Sequence, residues 1–147
     1  TYTYYDNNWL KSVTDPDGRT TYYEYDATGK RTKVKYPNGI TGEYEYDPDT
    51  QRLRSITWRN KYGVIVQKFE YTEYDKVGNI LKMKDRMGEY VFKYDNLYQL
   101  IRTEYPQRGY EQFTYDHCGN RVGYETNSFV YDGDGKRTQK IDYIDYY

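Results

Sequence analysis

The dipeptide Tyr-Asp occurs seven times in this 147-residue chain, with tyrosines at 5, 25, 46, 74, 94, 115 and 131. Successive tyrosines lie 20, 21, 28, 20, 21 and 16 residues apart. Self-similarity at a near-fixed period marks a repeat architecture, in which one small supersecondary unit is stacked many times. A period of about twenty residues fits two short strands and two turns. The chain therefore reads as a single array over residues 1–147, of about seven units starting at Tyr5, Tyr25, Tyr46, Tyr74, Tyr94, Tyr115 and Tyr131.

Turn chemistry identifies the unit. Four of the Tyr-Asp pairs have glycine four residues after the tyrosine, at Gly29, Gly78, Gly119 and Gly135. The aspartates of those units, Asp26, Asp75, Asp116 and Asp132, are placed to accept a hydrogen bond from a backbone N–H two residues on. Glycine then takes a positive φ without a Cβ clash. This predicts a four- to five-residue connection between antiparallel strands. A second set of turn signals follows at Asp15-Pro16-Asp17-Gly18, Pro37-Asn38-Gly39, Arg86-Met87-Gly88 and Pro106-Gln107-Arg108-Gly109.

Between the turns the pattern has period two. Nine residues past the tyrosines stand Val34, Ser55, Met83, Thr103 and Tyr124, expected on one buried face, with Lys33, Lys35, Lys82, Lys84 and Arg102 on the solvated one. The returning strands carry Tyr23/Tyr25, Tyr44/Tyr46, Tyr90/Phe92/Tyr94 and Phe113/Tyr115, again two apart. On stacked hairpins Tyr25, Tyr46, Tyr74, Tyr94, Tyr115 and Tyr131 would form an aromatic ladder. Two units are irregular. The third is 28 residues long, with Trp58–Val66 read as a longer hairpin, and the sixth is 16, with Thr126-Asn127-Ser128 read as its turn. The fold class expected is all-β, an array of antiparallel β-hairpins.

Composition limits what such an array can bury. Leu, Ile, Val and Phe total 24 residues, while tyrosine alone supplies 23. The expected interior is aromatic and hydrogen-bonded rather than aliphatic. Basic and acidic residues nearly balance, 22 against 23, without a long run of one sign, which argues against a nucleic-acid groove or a polybasic membrane patch. No stretch approaches the roughly 18 apolar residues of a membrane helix. Cys118 is the single cysteine and excludes an internal disulfide.

The motif Tyr115-Asp116-His117-Cys118-Gly119-Asn120-Arg121, with Tyr131-Asp132-Gly133-Asp134-Gly135-Lys136-Arg137 and the turn Asp15–Gly18, resembles the signature of the Rhs/YD-repeat family. The resemblance covers essentially the whole chain. It implies a strip of hairpins that curves into part of a hollow β-shell, as in bacterial polymorphic toxins, insecticidal toxin complex cocoons and teneurins. It implies a secreted or cell-surface location and, as partners, other YD repeats of the same or neighbouring chains and a polypeptide cargo. The aspartyl self-cleavage motif of the toxin members is not carried onto Asp15-Pro16-Asp17-Gly18-Arg19, which lacks its continuation.

The chemical candidates are few. His117 and Cys118 are adjacent, so their side chains point apart and no third group orients them as nucleophile and base. Asp15-x-Asp17-Gly18 and Asp132-x-Asp134-Gly135 lack the further oxygen ligands of a calcium loop and read as turns. No catalytic residue, cofactor or metal is expected. Trp9, Trp58, Tyr62 and Tyr110 lie near turns, as caps of the aromatic ladder or as a ligand platform for carbohydrate or protein. The leading function is a non-catalytic structural segment of a shell that encloses or displays another polypeptide such as a toxin. The alternatives are an adhesion module that uses exposed aromatics, and a subunit that self-assembles into filaments through unpaired edge strands.

Overall fold

The computed structural model describes the backbone of residues 1–131 and 137–146, and side chains through residue 123. Asp132 and Gly135 lie outside the described residues, and the side chain of Tyr131 is not described. The fold is all-β. The first compact unit, Thr1–Glu70, holds β1 (Tyr2–Tyr4), β2 (Leu10–Thr14), β3 (Thr20–Tyr25), β4 (Arg31–Lys35), β5 (Thr41–Tyr46), β6 (Leu53–Arg59) and most of β7 (Ile65–Tyr74). The second, Tyr71–Tyr147, holds the end of β7 and β8 (Ile80–Asp85), β9 (Gly88–Tyr94), β10 (Leu100–Tyr105), β11 (Gly109–Tyr115), β12 (Arg121–Tyr131) and β13 (Arg137–Tyr146). Within each unit consecutive strands pair antiparallel, and among the described residues the connections are hairpin turns.

One turn geometry recurs at both ends of the hairpins. The first turn residue donates its N–H to the carbonyl four residues on and accepts from the N–H three residues on, as in Asp26 with Lys30 and Gly29, Asp15 with Arg19 and Gly18, and Asn60 with Val64 and Gly63. The third residue beyond it takes a positive φ: Asn8, Gly18, Gly29, Gly39, Gly63, Gly78, Tyr98 and Gly119. Tyr98 is the bulky member of that set, at φ 62°. A left-handed non-glycine residue costs roughly 1–2 kcal/mol, partly offset by the extra unfolded-chain entropy glycine brings. Tyr98→Gly is therefore expected to stabilise the fold by about 0.5–1 kcal/mol. A urea midpoint that falls instead would assign the Tyr98 side chain a packing role.

The irregular units resolve differently from the sequence reading. The third hairpin keeps a four-residue turn, Asn60–Gly63, and takes up its extra length in longer strands, with β6 paired to β7 from Ser55↔Glu70 to Arg59↔Ile65. Thr126-Asn127-Ser128 is no turn. It lies inside β12, paired to β11 at Tyr110↔Asn127 and to β13 at Ser128↔Ile141, so ladder hydrogen bonds on both sides override the local turn preference. The first Tyr-Asp is also out of phase by one residue: Tyr5, not Asp6, heads its turn, and Tyr4 pairs with Leu10 as Tyr25 pairs with Arg31.

Across β3 to β7 the sheet has one apolar and one largely charged face. In the first unit Tyr23↔Val34↔Gly42↔Trp58 and Tyr44↔Ile56↔Phe69 share a face, while Glu24↔Lys33↔Glu43↔Thr57↔Lys68 share the other. The charged face is laced by ion pairs, Arg59 Nε to Glu43 Oε2 at 2.9 Å and Lys33 Nζ to Glu43 Oε1 at 3.7 Å. In the second unit Lys93 Nζ and Arg102 Nε both lie 2.9 Å from Glu104 Oε1. Exposed pairs of this kind contribute little individually; as cross-strand neighbours of opposite sign they hold register.

The interior is not the aromatic core expected. Among the described residues the buried apolar side chains are Val34 and Phe113, and Ser12, Ser55, Thr57 and Thr103 are buried with them. Tyrosines sit half-buried or exposed on sheet faces. Nor do Val34 and Ser55 share a face. The turn headed by Asp47 is one residue longer, with Tyr46 paired to Leu53 where Tyr25 pairs to Arg31, so counting nine from the tyrosine lands on the opposite side of the pleat.

Candidate functional site

The residues singled out in the sequence fall into two places, the Asp-headed turns and the aromatic clusters beside them. At the turns a carboxylate oxygen gathers backbone donors. Asp26 Oδ1 accepts from Thr28 N at 2.8 Å and Lys30 N at 3.0 Å. Asp75 Oδ1 accepts from Val77, Gly78 and Asn79, and its Oδ2 from Asn79 Nδ2 at 2.7 Å. Asp116 repeats this with Cys118, Asn120 and the Asn120 amide. Asp95 does so with Leu97 and Gln99, and Asp15 with Asp17 and Arg19. Gly29, Gly78 and Gly119 supply the positive φ that closes these turns.

These hydrogen bonds act on the charged form, so the carboxyls of Asp15, Asp26, Asp47, Asp75 and Asp116 sit below the ordinary value of 3.8. The cause is the Arg19 backbone N–H at Asp15, the Thr28 hydroxyl at Asp26, the Thr50 backbone N–H at Asp47 and the Asn120 amide at Asp116. At Asp75 desolvation works the other way, and the Asn79 amide with the backbone N–H groups of Asn79, Gly78 and Val77 outweighs it. A depressed folded-state pKa means the carboxylates stabilise the fold above their unfolded-state value, and that this is lost as pH falls through the lower folded value. Urea midpoints should therefore drop steadily below about pH 4. Asp26→Asn should flatten part of that slope while keeping the turn, since Asn60 Oδ1 already serves Tyr62 N and Val64 N in the same geometry. An unchanged acid slope in that variant would remove Asp26 from the account.

The tyrosines of the repeat tie the two strands of a hairpin together through their hydroxyls. Tyr46 Oη donates to the Arg31 carbonyl at 3.0 Å, Tyr94 to Ile80 at 3.0 Å and Tyr115 to Leu100 at 2.7 Å. Each acceptor lies at the start of the outgoing strand of the same hairpin, β4, β8 or β10. Burial pushes the Tyr46 and Tyr94 phenols up, which keeps these donors protonated. A ring contact between Tyr-Asp tyrosines occurs at Tyr5 and Tyr25, centroids 6.4 Å apart and edge-on; Tyr74 meets Tyr71 at 6.5 Å. This hydroxyl-to-carbonyl bond was not legible from spacing, which shows the ring but not where its tip ends.

The four aromatics read as a platform are dispersed. Trp9 leans on Tyr25 with centroids 5.5 Å apart. Trp58 stacks on Tyr36 at 6.2 Å and meets Tyr44 edge-on at 6.4 Å. Tyr110 lies under the Arg102 guanidinium, 3.7 Å from its centroid. These three are half-buried rather than exposed, and Tyr62, 77% exposed, stands at the β6–β7 turn. Glycines seat both tryptophans: a Cβ on Gly29 would stand 2.9 Å from Trp9 Cζ2, and one on Gly42 would stand 2.6 Å from Trp58 Cζ3. Beside Trp9 lies an open groove of about 580 Å³, lined by Tyr5, Asp6, Asn7, Trp9, Glu24 and Tyr25. Cys118 is exposed, as is His117 beside it. Among the described residues no three His, Cys, Asp or Glu side chains group as metal ligands, and no helix is long and apolar enough to cross a membrane.

Residues 4–41 match the family model described as RHS Repeat. The chain is similar to the Tc holotoxin pore structure of Photorhabdus luminescens, at 22% identity and TM-score 0.59 over 95% of this chain and 9% of that one. The crystal structure of TcdB2-TccC3 gives 22% and 0.59 over 95% and 10%, and that of TcdB2-TccC3-Cdc42 gives 21% and 0.56 over 90% and 10%. The chain thus spans about a tenth of the length of these structures, and the likeness is one of fold. No curated protein matches the chain. With the repeat model matched at residues 4–41 and Tyr-Asp turns recurring along hairpins of this fold, the chain resembles the Rhs/YD-repeat family.

Proposed function

We propose that this chain is a non-catalytic segment of a β-shell wall, outside the cell, whose work is to enclose or display another polypeptide. The observation that carries the reading is where the hydrogen bonds and charges are spent. The Asp-headed turns and the tyrosine hydroxyls satisfy backbone groups of the array itself, and the charged faces pair with their own cross-strand neighbours. The turn residues Asp26, Gly29, Asp75, Gly78, Asp116 and Gly119, and with them Asp132 and Gly135, are scaffold on this reading. So are the tyrosines of the ladder. An array whose buried apolar side chains, among the described residues, are Val34 and Phe113 is suited to be a wall, with neighbouring YD repeats completing it. The similarity to parts of Tc toxin complexes supports the same reading.

Two measurements test it. The reading frame that carries this chain is expected to continue into further Tyr-Asp repeats; a frame confined to these seven would overturn the wall. In the full gene product, a polypeptide encoded beside the repeats is expected to resist a protease that cuts it when expressed alone. Equal cleavage in both settings would end the enclosure reading.

A further inference from the structure

The first and second Tyr-Asp turns differ at one position that faces a neighbouring ring. In the turn headed by Asp26, Lys30 follows the positive-φ residue Gly29, and its Nζ lies 5.2 Å from the centroid of the Tyr46 ring. In the turn headed by Tyr5, Trp9 follows Asn8 at the same place, its carbonyl accepting from Tyr5 N as that of Lys30 accepts from Asp26 N. Trp9 is set against Tyr25 as Lys30 is set against Tyr46. A ring thus stands where the next repeat supplies its own cation, and Gly29 beneath it fixes its place.

The consequence is the groove lined by Tyr5, Asp6, Asn7, Trp9, Glu24 and Tyr25. It offers three aromatic rings, and exposed Asp6 borders it; Glu24 also lines it, from β3, where it pairs across the strands with Lys33. Two ammonium groups belong to this neighbourhood: Lys11, 5.4 Å from the Tyr5 centroid, and Lys33, the cross-strand partner of Glu24. Aromatic faces beside carboxylates attract a planar guanidinium, which stacks through its π-system while donating to the carboxylate. The second unit builds that arrangement internally: the Arg102 guanidinium lies 3.7 Å from the Tyr110 centroid, and its Nε is 2.9 Å from Glu104 Oε1. We propose that the Tyr5–Trp9–Tyr25 groove receives an arginine side chain presented by a partner polypeptide. The groove stands independently of the wall reading, since a shell could hold cargo with this groove empty.

The chain's two tryptophans make the test direct, because Trp9 and Trp58 each contribute one indole N–H resonance. The full chain is titrated with N-acetyl-arginine amide and, separately, with N-acetyl-citrulline amide, its neutral isostere. The expected result is a saturable shift of the Trp9 indole with the arginine compound and none with citrulline. Trp58 should stay still, and binding should weaken at least about threefold in Asp6→Asn. Asp6 is exposed, and an otherwise unchanged spectrum certifies the fold of that variant. Equal response to citrulline, equal movement of Trp58, no shift of Trp9, or unweakened binding in Asp6→Asn would overturn the proposal. None of these results bears on the length of the reading frame or on protease protection.

Discussion

Gly39→Ala is expected to destabilise the first unit by about 2–4 kcal/mol, the larger part from collision rather than from backbone strain. Gly39 holds φ at +83° in the turn headed by Tyr36, and a Cβ there would come 2.6 Å from Lys61 Cβ and 3.3 Å from Lys61 Cα. Those atoms belong to the next turn on the same side, Asn60–Gly63, and cannot swing away as a side-chain tip could. Gly18→Ala and Gly63→Ala supply the control, since both positions share the φ, at +82° and +80°, with nothing within 4 Å of the added carbon. They should cost only the left-handed backbone, about 1 kcal/mol. The check is a set of urea midpoints for the three variants, with Lys61→Gly added to Gly39→Ala. Removing the Lys61 Cβ should return most of the difference. Equal losses in all three single variants would mean that the two turns do not touch.

That contrast shows how far letters carry structure in this chain. The array of hairpins is legible because Asp and Gly recur at a fixed offset from Tyr, and each residue type has a backbone reason to be there. The same backbone also forms where glycine is missing: Asn8 and Tyr98 take the positive φ at 65° and 62°, and Gln51 takes it at 60° in the longer turn headed by Asp47. The strands on either side fix those turns, and local propensity yields. Thr126–Ser128 fails in the opposite sense, since turn-like residues are drawn into β12 by partners on both edges. At the aromatic sites spacing reveals that Trp9 and Trp58 lie near turns, but not what lies beneath them. That depends on cross-strand register, and register moves when one turn gains a residue, as the turn headed by Asp47 does. A glycine inside a strand, such as Gly42, was the available signal, because it marks a place where something approaches the backbone closely.

Gly42→Ala is expected to cost about 1–3 kcal/mol, even though alanine suits a strand better than glycine. Gly42 is the cross-strand partner of Trp58, whose ring lies over it, with Cζ3, Cη2 and Cε3 at 2.6, 2.9 and 3.0 Å from the position a Cβ would take. The ring has little room to retreat, being stacked on Tyr36 at 6.2 Å and met edge-on by Tyr44 at 6.4 Å. The added methyl must therefore push the tryptophan off that cluster or part β5 from β6. If the ring is what resists, Gly42→Ala and Trp58→Leu should couple strongly, and the double variant should be more stable than the sum of the two losses implies. Urea midpoints of the four proteins measure this. The Gly42→Ala single variant should also shift the emission of Trp58, which Trp9→Phe isolates as the remaining tryptophan. Additive losses with an unmoved spectrum would show that Trp58 does not rest on Gly42, and would return it to the exposed platform that its place near a turn suggests.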